Sequence, residues 1–211
     1  VLNSHSELAD LICSGLMKYD ANGKPIVDLA ESYTYDPAAM IYTFTLKKGV
    51  TWHDGTPFTA SDVVFTYEVL MHDETISSSI TSNYEDIASV TAPDDHTVVF
   101  RMGDTNAAML DYFTIGILPE HLLKGKDINT DSFNQHPVGT GKYRFVEWDT
   151  AGGMIILERS TNYYGKGPNI ERVIYKTVAV ESTKATMLST GEADLAEFDV
   201  LAEAVVRDLT A

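Results

Sequence analysis

The run Gly139-Thr140-Gly141-Lys142 is the part of the chain closest to a chemical motif, because glycine-rich loops followed by lysine can hold phosphate groups. A Walker-type loop places four residues between its glycines and puts Ser or Thr after the lysine, but Tyr143 follows here. A GxGxxG dinucleotide fingerprint is also absent from the sequence. We therefore interpret these glycines as a tight backbone crossing between subdomains, with backbone amides that face a cleft.

The histidine and nucleophile patterns predict neither a metal site nor catalysis. None of the six histidines forms an i, i+4 pair, and no HExxH segment or cysteine cluster occurs. No GxSxG elbow, Ser-Lys pair or Cys-His pattern is present, and acid pairs such as Asp94-Asp95 fit a solvated surface. His53 is interpreted as part of the Trp52–Gly55 turn. The sequence therefore predicts no cofactor, no metal and no enzyme activity.

Charge and cysteine content exclude several further classes. The 211 residues include 15 Lys or Arg and 31 Asp or Glu, a formal charge of −16, which argues against nucleic acid and anionic membrane surfaces as partners. The single cysteine, Cys13, cannot form an intrachain disulfide, and we expect it on the buried face of the first helix. Asp10 lies close before Cys13 and no long apolar run precedes it, which disfavours lipid attachment there.

Helices and hairpins alternate along the chain, which indicates an α/β or α+β class with mixed sheets. Tyr42, Phe44 and Leu46 alternate as one buried strand face. Hydroxyl N-cap candidates at 59–61 precede an apolar helical stripe. Predicted helices cover residues 5–18, 60–71, 106–113 and 181–190; predicted strand pairs cover 32–36 with 41–47, 85–92 with 96–102, and 142–149 with 153–160.

Residues 42–59, YTFTLKKGVTWHDGTPFT, closely resemble the signature of family 5 extracellular solute-binding proteins, the receptors of peptide and nickel ABC importers. Five further segments resemble family motifs in the same order: Ser14–Asp20, Leu29–Tyr33, Pro137–Tyr143, Asn162–Pro168 and Gly191–Leu195. Lys142 stands where the family usually has proline. The resemblance therefore covers essentially the whole chain.

The resemblance implies an α/β fold of the bilobed, class II-like periplasmic-binding-protein type, of which this chain is the first lobe. It implies a main subdomain built from residues 1–30 and 138–211, with an inserted α+β subdomain over 31–137. Residues near 25–35 and 135–142 are then expected to run side by side. In the family the second lobe follows the Gly191–Leu195 region, so we expect that lobe to be absent here.

The function that the resemblance implies is capture of an extracytoplasmic peptide and its delivery to a membrane permease. The protein is expected in the periplasm or as a surface lipoprotein, monomeric when full length and without nucleic acid. We expect the solute to contact the residues before the first helix, a tyrosine at the rim of the cleft, the segment 114–116 and the glycine crossing. These residues are Asn3, Ser4, His5, Ser6, Tyr84, Thr114, Ile115, Gly116, Gly139, Thr140 and Gly141.

Two other classes of protein stay open from the residues alone. An extracytoplasmic hydrolase or carbohydrate-processing domain requires an acid pair across a cleft, or a nucleophile with a base. A pure interaction domain requires a surface without a deep groove. Within the family, nickel chelates and oligosaccharides are the alternative solutes.

Overall fold

The computed structural model describes residues 6–72 and 80–197. The helices are α1 Ser6–Ile12, α2 Ala60–His72, α3 Met109–Tyr112, α4 Glu120–Leu123 and α5 Glu181–Thr190, with 3-10 turns at Thr81–Tyr84 and Ser132–Asn134. The strands are β1 Met17–Tyr19, β2 Pro25–Val27, β3 Ala30–Asp36, β4 Ile41–Leu46, β5 Ile87–Asp94, β6 Thr97–Met102, β7 Tyr143–Asp149, β8 Met154–Arg159 and β9 Arg172–Lys176. Among the described residues, no helix combines the length and apolarity needed to cross a membrane.

The central element is a four-stranded antiparallel sheet in the order β3-β4-β6-β5. The predicted alternation on β4 is confirmed, because Tyr42, Phe44 and Leu46 are all buried. Strands β1 and β2 form a separate antiparallel pair, and β7-β8-β9 form a third sheet. The predicted α/β class is confirmed, and every strand pair from β1 to β6 is antiparallel.

An aromatic cluster fills the space between the four-stranded sheet and α2. Phe44 and Phe100 of the sheet each lie 4.8 Å from Phe113, measured between ring centroids. Tyr67 of α2 lies 4.7 Å from Phe100, edge to face. Such ring pairs contribute about 0.5–1.5 kcal/mol beyond area burial. The cluster therefore fixes α2 and the residues after α3 on the sheet.

The chain forms two compact units. Among the described residues, the first comprises 6–72, 80–147 and 157–173, and the second comprises 148–156 and 174–197. In the second unit, α5 ends at Thr190, and the left-handed backbone of the next residue, Gly191 (φ 74°), lets the amide of residue 192 bond the Met187 carbonyl. The division into 1–30, 31–137 and 138–211 is a different partition and stays a prediction.

The predicted helix over 5–18 is shorter in the structure and ends at Ile12. Tertiary hydrogen bonds explain the difference, because the Met17 amide donates to the Phe113 carbonyl at 3.0 Å and β1 pairs with β2. Cys13 accordingly lies one residue beyond the helix, which corrects its expected place on a helix face. Cys13 is half-buried, and desolvation, with a smaller contribution from Asp10, raises the pKa of its thiol to about 12.

Asp62 holds the start of α2, a role that the sequence assigned to hydroxyl groups. Its carboxylate accepts hydrogen bonds from the amides of Thr59 at 2.9 Å and Glu120 at 3.0 Å, and from the Trp52 indole at 3.4 Å. The Thr59 hydroxyl instead pairs with the Ser61 hydroxyl. Asp62 is 4% exposed, so one buried carboxylate joins α2, α4 and the Trp52 turn.

We predict that Asp62→Ala lowers the free energy of unfolding by about 3 kcal/mol, because it leaves buried donors without an acceptor. Urea denaturation followed by circular dichroism measures the change. Glu68→Ala on the exposed side of the same helix is the matched control, with an expected change below about 0.5 kcal/mol. Equal effects of the two substitutions would contradict the bridging role of Asp62.

Candidate functional site

The glycines at 139 and 141 lie against the carboxyl end of α1. Both are buried, and a Cβ atom at either position would overlap a backbone carbonyl oxygen, that of Ile12 for Gly139 and that of Leu11 for Gly141. The Gly141 amide donates to the Ile12 carbonyl at 2.8 Å. The segment therefore makes a close backbone approach that only glycine allows, and its neighbour is the end of the first helix. A crossing between subdomains, with residues 25–35 beside 135–142, stays a prediction.

A second pair of glycines joins the same part of the chain to the segment after α3. A Cβ at Gly15 would lie 2.5 Å from the Thr114 carbonyl oxygen, and one at Gly116 would lie 2.7 Å from the Cys13 Cβ. The Ile117 amide also donates to the Ser14 carbonyl at 3.0 Å. Residues 11–15, which we name the α1 hinge segment, are thus enclosed by two backbone stretches that approach too closely for side chains.

His53 fastens the glycine crossing from its other side. The His53 amide donates to the Gly139 carbonyl at 2.8 Å, and the Gly139 amide donates to His53 Nδ1 at 3.3 Å. His53 Nε2 lies 2.9 Å from the Gly141 carbonyl oxygen. One residue of the Trp52–Gly55 turn therefore makes three hydrogen bonds to the crossing.

Asn162 holds the opposite side of that turn. Its side-chain amide donates to the Trp52 carbonyl and to the Thr51 hydroxyl, both at 2.8 Å, and its oxygen accepts from the Ser160 hydroxyl at 2.8 Å. The Ser160 amide donates to the Lys142 carbonyl at 2.8 Å. The turn and the crossing are therefore linked through two independent routes.

A polar cluster extends from Ser14 of the α1 hinge segment. The Tyr164 hydroxyl donates to Ser14 Oγ at 2.9 Å, and Lys47 Nζ lies 5.1 Å from the centre of the Tyr164 ring. Burial raises the pKa of Tyr164 and lowers that of Lys47. Lys18 pairs with Asp28 at 2.9 Å, and Lys47 also donates to the Asp28 carbonyl. The cluster thus places two lysines around one carboxylate, and Lys47 contacts a backbone carbonyl and an aromatic ring instead of a second acid.

An open pocket of about 390 Å³ lies at the start of α2, where sequence reasoning placed nothing; its lining is Thr56, Pro57, Thr59, Ser61, Asp62, Glu120, His121 and Lys124. Two of its lining groups are paired, Lys124 with Glu120 at 2.7 Å and His121 with Asp54, which lies outside the lining, at 2.8 Å; the Asp62 carboxylate accepts hydrogen bonds from neutral donors. Burial raises the pKa of Asp54, but hydrogen bonds from His121 and Thr56 outweigh this, so the pKa lies below its usual value.

The structure brings several of the predicted site residues together. Thr114, Ile115 and Gly116 are half-buried and contact the α1 hinge segment, as Gly139 and Gly141 do. Their common attachment agrees with the expectation that they share one region. Ser6 begins α1, whereas Asn3, Ser4 and His5 lie outside the described residues. Contact of any of these residues with a solute stays a prediction.

Tyr84 and the amides of the glycine crossing occupy interior positions. Tyr84 is 3% exposed, its ring packs on Tyr67, and its hydroxyl donates to the Tyr112 carbonyl at 3.1 Å. The Gly139 and Gly141 amides, expected to face a cleft, bond His53 and Ile12 because buried amides need acceptors. Thr140 is also buried, and its hydroxyl has no hydrogen-bond partner among the described residues.

The principal residue that sequence reasoning missed is His53. His53 contacts residues that lie 86 and 88 positions further along the chain, and the periodicity of a local segment does not predict contacts at such a separation. The available signal was that the Trp-His-Asp-Gly turn and the Pro137–Tyr143 run both resemble family motifs. Within residues 6–72 and 80–197, no group of three His, Cys, Asp or Glu side chains could hold a metal ion.

We predict that Gly139→Ala lowers the free energy of unfolding by about 3 kcal/mol, because the new methyl group overlaps the Ile12 carbonyl and forces the backbone apart. Thermal and urea denaturation measure the change. The matched control is Gly103→Ala, whose Cβ would lie 3.6 Å from its nearest neighbour, with an expected change within about 1 kcal/mol. Full stability of Gly139→Ala would show that the crossing is looser than described.

Comparisons with known proteins agree with this organisation. Residues 24–208 match the family model for bacterial extracellular solute-binding proteins, family 5 Middle. The oligopeptide-binding protein AppA of Bacillus subtilis is 31% identical over 90% of this chain and 36% of its own length. The chain thus spans about a third of the length of the curated relatives it matches.

Solved structures share both fold and sequence with the chain. NikZ from Campylobacter jejuni, in complex with Ni(L-His), has a TM-score of 0.83 and 36% identity over 88% of this chain and 37% of its own. AppA with a nonapeptide has a TM-score of 0.83 and 30% identity over 89% of this chain and 38% of its own. On the match over residues 24–208, this chain belongs to the family 5 bacterial extracellular solute-binding proteins.

Proposed function

We propose that the full-length protein is the solute-binding receptor of an ABC importer and that it captures extracytoplasmic peptides for a membrane permease. The observation that carries this proposal is the family match over residues 24–208, together with similarity to the peptide-binding AppA in both sequence and structure. The protein acts by binding and not by catalysis. Hydrolysis of ATP by the transporter, not by this chain, supplies the energy.

The described residues support a rigid first wall of a solute site. The Thr114–Gly116 stretch is half-buried and packs closely against the α1 hinge segment at Gly15 and Gly116. A hydrogen bond from the Ile117 amide to the Ser14 carbonyl also holds it there. Preorganised backbone lowers the entropy lost on binding. In the receptor, closure of a second lobe over this wall buries the solute, and the closed form presents it to the permease.

Peptide is the solute class that we favour, with nickel chelates and oligosaccharides as alternatives. AppA is named as an oligopeptide-binding protein, and its structure holds a nonapeptide. The NikZ structure holds Ni(L-His), so relatives of comparable similarity bind different solutes. The family match also supports a place outside the cytoplasm, in the periplasm or attached to the cell surface. We further propose that the full-length receptor is monomeric.

The experiment that tests this function begins with the full-length protein purified from its native host. Native mass spectrometry identifies the solute that co-purifies, and calorimetric titration of the emptied protein measures its affinity. We expect a peptide that binds at one site. If the bound solute is a nickel chelate or an oligosaccharide, the proposed solute class changes from peptide to that class. The absence of any bound or binding solute would contradict the receptor function.

We predict that residues 1–211 alone bind the same solute far more weakly than the full-length protein, in the millimolar range or below detection. One wall leaves half of the ligand solvated, while the loss of translational and rotational freedom still costs about 4 kcal/mol or more. Parallel titrations of the two proteins test this. Micromolar binding by residues 1–211 would show that the second wall is not needed.

A further inference from the structure

His53 joins the Trp52–Gly55 turn to a backbone crossing that tolerates no side chain, and the ring makes two of the three hydrogen bonds. We propose that His53 is a pH-sensitive latch, which holds Gly139–Gly141 in place while the ring is neutral and releases the Gly139 end of that segment when the ring is protonated. The proposal goes beyond solute capture and concerns the free chain.

The hydrogen bonds require one form of the imidazole ring. The Gly139 amide donates to Nδ1, so Nδ1 must carry no proton. Nε2 lies 2.9 Å from a carbonyl oxygen, that of Gly141, and must therefore carry one. Only the neutral ring with its proton on Nε2 satisfies both neighbours. A second proton on Nδ1 would set two donors against each other and would break the bond to Gly139.

The surroundings of the ring favour its neutral form. Burial is the largest influence and lowers the pKa of His53, and the positive charge of Arg144 lowers it further. The Gly141 carbonyl and the Asp54 carboxylate act in the opposite direction. Asp54 is also bound to His121, and Arg144 is paired with Glu158 at 2.8 Å. The net result is a His53 pKa below its ordinary value.

The sign of the pH effect follows from this direction. The released state binds a proton on His53 more readily than the latched state, so acid favours release. The latch is intact above about pH 6.5, the ordinary value for histidine, and weakens as the pH falls from there through the lower pKa of the latched state. In that range the Gly139 amide loses its acceptor, while the Gly141 amide keeps the Ile12 carbonyl.

Amide hydrogen exchange of residues 1–211, measured by NMR from about pH 7.5 to about pH 5 and corrected for intrinsic rates, tests the latch. We expect protection at Gly139 to fall about tenfold for each pH unit between the released and latched pKa values. The Met17 amide, bonded to the Phe113 carbonyl, is the internal control and should keep its protection. Protection at Gly139 that does not change with pH overturns the proposal.

Two variants assign the effect to His53. His53→Gln keeps a donor near the Nε2 position and does not titrate, so its Gly139 exchange should lose the acid dependence. His121→Gln, which alters the other histidine near this turn, should keep it. The ring titration of His53 in the unaltered chain needs no substitution, and its midpoint should mark the acid end of the fall in Gly139 protection. A fall that continues well below that midpoint, or acid dependence that persists in His53→Gln, overturns the proposal.

One consequence rests on the proposed function. If the crossing supports the solute wall, the solute affinity of the full-length receptor falls over the same pH range and does so less in His53→Gln. A receptor that binds no solute at any pH defeats the proposed function but leaves the exchange result standing. If exchange at Gly139 is acid-sensitive but the solute affinity does not change with pH, the latch operates only in the free chain. That result overturns this consequence.

Discussion

A backbone approach too close for side chains is the constraint on which this part of the molecule depends. Residues 11–15 are enclosed by Gly139 and Gly141 on one side and by the Thr114–Gly116 stretch on the other. Glycine is needed because a Cβ would meet backbone atoms, which cannot rotate away as a side chain can. The hydrogen bonds at Ile12 and Ser14 then fix the register of the three stretches.

Packing and hydrogen bonds elsewhere in the first unit hold the residues of this crossing in position. The Phe44–Phe100–Phe113 cluster fixes the residues that lead into Thr114, and buried Asp62 ties α2 and α4 to the Trp52 turn that carries His53. Apolar packing and a fully bonded buried carboxylate therefore act together. In the proposed receptor, this packing keeps the backbone of the solute wall in shape before the solute arrives.

The sequence predicted the helices and strands that the pattern of neighbouring residues specifies. Strand β4 and helix α2 were predicted because burial follows their periodicity, and the family was recognised from six ordered segments. The predicted end of α1 was wrong, because a tertiary hydrogen bond at Met17 prevents the helix from continuing as the spacing of its apolar residues indicates. The burial of Tyr84 and the contacts of His53 depend on residues far away in the chain, which no pattern within a segment reports.

We propose that the α1 hinge segment and its two flanking stretches form one wall of a solute site. Hydrogen-exchange mass spectrometry of the full-length protein, with and without its co-purified solute, tests this most directly. The account predicts that solute slows exchange in peptides covering 11–15, 114–117 and 139–141, and leaves the outer strand β3 unchanged. Protection confined to other parts of the protein, with these three stretches unchanged, would contradict it.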